Sequence, residues 1–332
     1  MRAHPNRGRR GGFTLVELMV AGTVLAIIMG FFLSSLTIQK RSYTVNDQII
    51  EIQQGARIIG DVLERDLRHA GFMAPPGGGL CVVDNTNAPD ILLLSDDAAV
   101  DPTVENRGDL AARVTGGATN VAGGVQTLPV DDLIVEVVNP TPNYDSDGNG
   151  VNDSDFRVGA GAIVVDAANP GRGAACARIV AIPNATSIQI DVLSGPLAGA
   201  TPNPADLAVV PARIYVVNAQ NNLVRDGVMV AMDVEDLQVA VFIDDDLDGD
   251  IDANEYRGDG VGPTLDPSTV DFSRAREARA SFVLRTRDTD LQYTQGMFQS
   301  MENRAPVVGT DGFRRRVWVS TIMLRNVSAG AS

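Results

Sequence analysis

Residues 13–38 read FTLVELMVAGTVLAIIMGFFLSSLTI, and residues 1–12 before them read MRAHPNRGRRGG. The leader holds Arg2, Arg7, Arg9 and Arg10 and no acid, whereas the run that follows carries a single charge, Glu17. Twenty-six helical residues span about 39 Å, enough to cross a bilayer. The basic leader holds that end in the cytoplasm, with Lys40 and Arg41 beyond the far end. The helix continues past the apolar run. Val45, Ile49, Ile52, Ala56, Ile59, Leu63, Leu67 and Ala70 recur at steps of three and four, the spacing of one helical face. Asp47, Glu51, Asp61, Glu64, Arg65 and Arg68 fall between them. Gly71 is a natural C-cap, and Pro75-Pro76 forbid continuation. The expectation is one helix over residues 13–70, about 87 Å long. Its first half is apolar all round, and its second half bears one apolar stripe that should lie on a sheet. The repeat is too short, and has too many extra apolar residues, for a coiled coil. Gly22 and Gly30 inside the apolar half are either close-packing points or tolerated small residues of a membrane helix.

Three readings of residues 1–38 compete. A secretory signal would be cut after the apolar run at a small-x-small site, for which Ser35-Leu36-Thr37 is a poor candidate. A plain anchor explains the length but not a carboxylate inside it, since an ionisable group in a membrane helix is costly and by default functional. The third reading puts a cut between Gly12 and Phe13. Gly12-Phe13-Thr14-Leu15-Val16-Glu17 resembles the prepilin processing motif of type IV pilins and type II secretion pseudopilins. The resemblance implies cleavage after Gly12 by a membrane peptidase and N-methylation of Phe13. It also implies that Glu17 pairs with the amine of a neighbouring subunit during assembly. A buried carboxylate needs such a partner; the alternative is Glu17 snorkelling to the headgroups.

Composition narrows the function. The chain has 332 residues and a net charge of −15, which becomes −19 without the leader. Such a surface repels nucleic acid. Its two histidines are His4, in the leader, and His69, in the helical stretch. A Ser-His-Asp or Cys-His site would rest on His69 alone, and a zinc site would have one His and at most two Cys. Hydrolytic catalysis is therefore not expected, and no catalytic residue is assigned. The cysteines are Cys81 and Cys176. In an exported chain an even count suggests one disulfide; two buried free thiols are the alternative.

After Pro76 the texture changes to short β-like runs between Gly, Pro, Asn and Asp turns. Expected strands are Ile91–Leu94, Leu133–Val138, Ala162–Val165, Ala177–Ile182, Ser187–Val192, Arg213–Val217, Leu223–Arg225, Val234–Ile243, Ala278–Arg287 and Val317–Leu324. The alternation in Val234–Ile243 indicates a half-buried strand. Arg213–Arg225 reads as a hairpin turning near Asn221-Asn222. Residues 97–130 and 258–273 read as long loops, and Arg314-Arg315-Arg316 as the solvated start of a strand.

Two acidic loops stand out. Residues 244–255 read DDDLDGDIDANE, which fits the calcium-loop pattern D-x-D-x-D-G-x-I-x-x-x-E. Asp244, Asp246 and Asp248 would give carboxylate oxygens, Asp250 its carbonyl, Asp252 a direct or water-bridged oxygen and Glu255 a bidentate carboxylate around Ca²⁺. A solvated acidic turn is the alternative. In residues 145–155, DSDGNGVNDSD, the offsets of Asp145, Asp147, Asn149, Val151 and Asp153 suit a smaller calcium loop or a plain Asn/Asp/Gly turn.

A second resemblance narrows the family. Gln54-Gly55-Ala56-Arg57, Asp66-Leu67-Arg68-His69-Ala70-Gly71-Phe72, Val234-Glu235-Asp236-Leu237-Gln238-Val239 and Arg315-Arg316-Val317 with Leu324-Arg325-Asn326 resemble, in order, the PilW family of minor pilins. It implies an α+β type IV pilin fold, a long N-terminal helix packed on an antiparallel β-sheet head. Residues 1–12 are then a cleaved leader, 13–41 the transmembrane and filament-core helix, 42–72 its amphipathic half and 73–332 the head. The implied role is a structural, low-abundance subunit that starts pilus assembly, anchored in the inner membrane before assembly and on the cell surface after it. The implied partners are other major and minor pilins, the prepilin peptidase, the inner-membrane assembly machinery and a tip adhesin. J-type pseudopilins of type II secretion share part of the pattern, and a tip-displayed adhesin or binding module is the rival of a different class.

Overall fold

The computed structural model describes residues 12–72, 74–95, 111–116, 121, 123–131, 133, 156–184, 186–194, 197, 206–250, 252, 254–290, 292–294, 300–306 and 311–327. The chain divides into two compact units, Met1–Glu51 and Ile52–Ser332. Helix α1, Leu15–His69, begins in the first and ends in the second. Its length follows from the absence of Pro and the unbroken run of helix-tolerant residues. In the first unit every residue from Gly12 to Lys40 is exposed, which matches an apolar surface that this chain does not itself cover.

In the second unit Ile52, Ala56, Ile59, Gly60, Leu63, Asp66 and Leu67 are the buried face of α1. That face joins one core with residues of two antiparallel sheets, Leu80, Leu92, Ile163 and Ile214 from one and Leu237, Val239, Phe282 and Ile322 from the other. The helix ends where expected. Gly71 takes a positive φ of 81°, its N–H bonds Ser95 O at 2.8 Å, and a Cβ there would stand 2.7 Å from Val327 Cα. Only glycine accepts that combination.

The head contains two sheets rather than the single one expected. The larger is built from β1 (Leu80–Val83), β2 (Ile91–Leu94), β3 (Ala112–Arg113), β4 (Gly124–Pro129), β5 (Gly161–Asp166), β6 (Ala174–Asn184), β7 (Ser187–Val192), β8 (Leu207–Val217), β9 (Leu223–Arg225) and β10 (Val228–Ala231). Its path is β1-β2-β8-β5-β6-β7-β4, with β3 and β9 on β8 and β10 on β9. The smaller has the order β12-β11-β13-β14, from β11 (Val234–Ile243), β12 (Tyr256–Arg257), β13 (Ala275–Arg285) and β14 (Arg315–Met323).

Several differences from the sequence reading have identifiable causes. Strand β11 is buried on both faces, not one; Gln238 is fully enclosed and donates through Nε2 to Ala88 O at 3.0 Å and Asp236 Oδ1 at 2.9 Å. Strand β8 begins at Leu207 rather than at the expected Arg213 and runs through Pro211. Among the described residues one edge of β8 has no strand partner between segments 208–209 and 213–215, so a proline there is tolerated. Strands β3 and β4 lie within the expected loop 97–130, whose remaining residues are only partly described. Of the three arginines expected to be solvated, Arg316 is exposed, Arg314 is half-buried and pairs with Asp290, and the Arg315 side chain is buried between Glu235 and Asp311. The hairpin near Asn221-Asn222 is present, Val217 pairing with Leu223 and Asn221 taking φ 58°. The expected strand Leu133–Val138, apart from a buried Leu133, lies outside the described residues.

Candidate functional site

At the start of α1 the Gly12–Phe13 peptide lies open. Nothing approaches within 4 Å of a Cβ built on Gly12, and Phe13 is 85% exposed. The first turn is closed by its own side chains. Thr14 Oγ1 accepts from the Glu17 backbone N–H at 3.2 Å, and Glu17 Oε2 accepts from the Thr14 backbone N–H at 3.4 Å. This is a capping box, two orphan N–H groups satisfied reciprocally. The T-x-x-E spacing was legible in the sequence, yet only Glu17 had been singled out. The return bond at 3.4 Å is long, so the carboxylate remains accessible to a stronger partner.

The Asp244–Glu255 loop closes the β11–β12 hairpin, where Phe242 pairs with Tyr256 and Val241 with Arg257. Of the six residues proposed as ligands, the fold gathers three. Carboxylate oxygens of Asp244, Asp246 and Glu255 lie within 4.8 Å of one another. Asp248, Asp250 and Asp252 are exposed around them. The turn bends at Leu247 (φ 63°) and Gly249 (φ 81°). Asp246 Oδ1 accepts from Asp248 N–H at 3.2 Å, and Asp248 Oδ1 from Asp250 N–H at 2.8 Å. Three arginines outside the loop also meet it, and sequence reasoning missed them. Arg276 Nε donates to Asp244 Oδ2 at 3.0 Å, Arg274 donates to Asp245 O at 2.9 Å, and Arg257 pairs with Asp245. They come from β12 and from the chain around the start of β13, which the hairpin brings alongside. The second acidic loop, Asp145, Asp147, Asn149, Val151 and Asp153, lies outside the described residues.

Cys81 on β1 and Cys176 on β6 are joined, with the two Sγ atoms 2.06 Å apart and both residues fully buried. His69 is exposed on the last turn of α1.

Residues 7–33 match the prokaryotic N-terminal methylation motif. Among solved structures, the type IV-like pilin TTHA1219 from Thermus thermophilus is similar at 10% identity and a TM-score of 0.33, over 83% of this chain and 98% of that one. A search of curated proteins finds no match. The chain thus carries a prepilin-type motif on a long apolar N-terminal helix followed by antiparallel β-sheets.

Proposed function

We propose that this chain is a structural subunit of a type IV pilus, a minor pilin of the PilW kind. It is inserted in the inner membrane with its leader in the cytoplasm. It is trimmed between Gly12 and Phe13 and then withdrawn into a filament. One observation carries the reading: the methylation motif over residues 7–33 sits on an open peptide at the head of a helix whose apolar residues 13–38 are exposed all round. Apolar surface on that scale requires a bilayer or neighbouring helices. A filament of like helices supplies the second, and the prepilin peptidase, other pilins and the assembly machinery are the partners this route demands.

The test is the mature amino terminus. Mass spectrometry of protein recovered from sheared filaments should find chains beginning at N-methylated Phe13. A Gly12→Leu chain should keep residues 1–12 and stay in the membrane. A mature chain beginning anywhere else overturns the processing reading. Recovery only with secretion pseudopili would replace the pilus with the J-type alternative.

A further inference from the structure

The oxygen atoms gathered inside the β11–β12 hairpin are more than a crowded turn. Asp244 is fully buried and Glu255 is 6% exposed. One oxygen of each is occupied: Asp244 Oδ2 by Arg276, and Glu255 Oε1 by the Asp245 backbone N–H at 2.8 Å. The other two, Asp244 Oδ1 and Glu255 Oε2, are buried and have no hydrogen-bond partner among the described residues. Burying a carboxylate oxygen with nothing to satisfy it is destabilising, the more so when it is charged. Proteins rarely leave two such atoms side by side. Both residues belong to the group in which a carboxylate oxygen of each, and of Asp246, converge within 4.8 Å. What they lack is a donor or a cation, and the three convergent groups are all acceptors.

We infer that the Asp244–Glu255 loop binds one calcium ion per chain. Asp244 Oδ1, Asp246 and Glu255 Oε2 form its inner set, and the rim of the loop completes the shell. Hard oxygen ligands without nitrogen or sulfur select Ca²⁺ or Mg²⁺ over transition metals. A flexible loop of six or more candidate oxygens suits the larger ion; Mg²⁺ demands a tight octahedron and keeps its waters. Asp244, Asp246, Asp248, Asp250, Asp252 and Glu255 fall at first, third, fifth, seventh, ninth and twelfth places of the loop, the order in which a twelve-residue calcium loop presents its oxygens. Here the loop joins two strands, so the ion would tie the end of β11 to the start of β12. Through Arg276 on Asp244 it would also brace the start of β13. The inference concerns the head alone and does not depend on the pilus reading.

The experiment is calorimetric titration of the full-length chain in detergent with CaCl₂ and, separately, MgCl₂, together with thermal unfolding in calcium and in chelator. One site per chain is expected, with a dissociation constant of about 10⁻⁴–10⁻³ M, as in extracellular calcium modules. At ten times that constant the melting midpoint should rise by roughly 2–5 °C. Magnesium should bind at least tenfold more weakly. Asp246 is exposed, so Asp246→Ala leaves the core intact and should weaken calcium at least tenfold; isosteric Glu255→Gln should do the same. Absence of binding heat with identical melts in both buffers overturns the inference. So does undiminished binding in both variants, and magnesium binding as tight as calcium overturns the choice of ion.

Discussion

Asp66 is the only charged residue on the buried face of α1, and everything around it explains why a charge is tolerated there. Tyr215 donates to its Oδ2 at 2.5 Å, Arg225 lies 3.1 Å from the same oxygen and Arg213 3.2 Å from the other. Burial pushes the carboxyl up, but the Tyr215 hydroxyl and the two guanidinium groups outweigh it and hold its pKa below the usual value. The helix is thereby keyed to β8 and β9 by one residue. Asp90 shows the opposite balance. Its carboxylate accepts from Asn85 N–H at 2.7 Å and Val239 N–H at 2.8 Å, fastening the turn between β1 and β2 onto β11. No arginine pairs with it in those contacts. Burial first, then the nearby Asp84 and Asp236, push it up to about 8. A group whose folded pKa exceeds its unfolded value contributes stability that is fully present below the unfolded pKa. That contribution is lost as pH rises through the folded one. For Asp90 the window runs from about 4, the ordinary carboxylate value, to about 8. Asp84, Asp226 and Asp236 are raised by the same cause, burial, and add the same sign. The chain should therefore unfold at higher denaturant at pH 5 than at pH 8.5. Asp90→Asn should flatten that slope while leaving the part due to the other three. An unchanged slope in Asp90→Asn would place the titration elsewhere.

At the scale of elements, the β1 edge of the larger sheet is tied in from a distance. Among the described residues β1 pairs only with β2, and a four-residue hairpin of this kind holds weakly by itself. The Cys81–Cys176 bridge ties it to β6 across 95 residues of chain, and both cysteines stand in the core shared with α1. Closing a loop of that length should be worth up to about 4–5 kcal/mol by loop-closure entropy. Peptide mapping without reductant should recover residues 81 and 176 in one linked fragment from exported protein. Cys81→Ser with Cys176→Ser should lower the denaturation midpoint while α1 still docks through Leu63 and Leu67; two free thiols in the exported chain would remove the bridge from the account. The helix, its C-cap and the strands β2, β7, β9 and β11 could be read from periodicity and turn residues, because their signals are local. What could not be read is non-local. Strand β5 was legible as the expected strand Ala162–Val165, but its burial on both faces was not: Ile163 and Val165 face one core and Ala162 and Val164 another, so the strand carries no alternation. Strand β12 has two residues and exists only because β11 supplies a partner. Gly60 in α1 faces a distant strand: a Cβ there would stand 3.1 Å from Trp318 Nε1 on β14. The acidic loop was legible from its spacing, but Arg257, Arg274 and Arg276 around it were not, since pairing of distant segments brings them there.

For the whole molecule, the decisive quantity is the cover that the first half of α1 obtains from outside the chain. On the proposed route Phe13 to Ile38 leave lipid and enter a filament, so Glu17 must be acceptable in both surroundings. In a membrane the capping box with Thr14 would lessen the cost of the carboxylate by giving it a backbone N–H, although an intramembrane charge remains unfavourable. In a filament the same oxygen can exchange its long 3.4 Å bond for the charged amine of a neighbouring Phe13, a stronger charge-assisted contact. Glu17→Val should therefore raise or preserve the membrane-inserted pool and reduce the share recovered in sheared filaments at least tenfold. The same change also deletes the capping interaction, worth about 1 kcal/mol, so a companion variant is needed. Thr14→Val removes the cap's hydroxyl and keeps the carboxylate. If pairing between subunits is the role of Glu17, Thr14→Val assembles far better than Glu17→Val at equal membrane levels. If the two variants are equally excluded from filaments, Glu17 serves its own helix and not its neighbour. Normal incorporation of Glu17→Val would deny the residue any part in assembly.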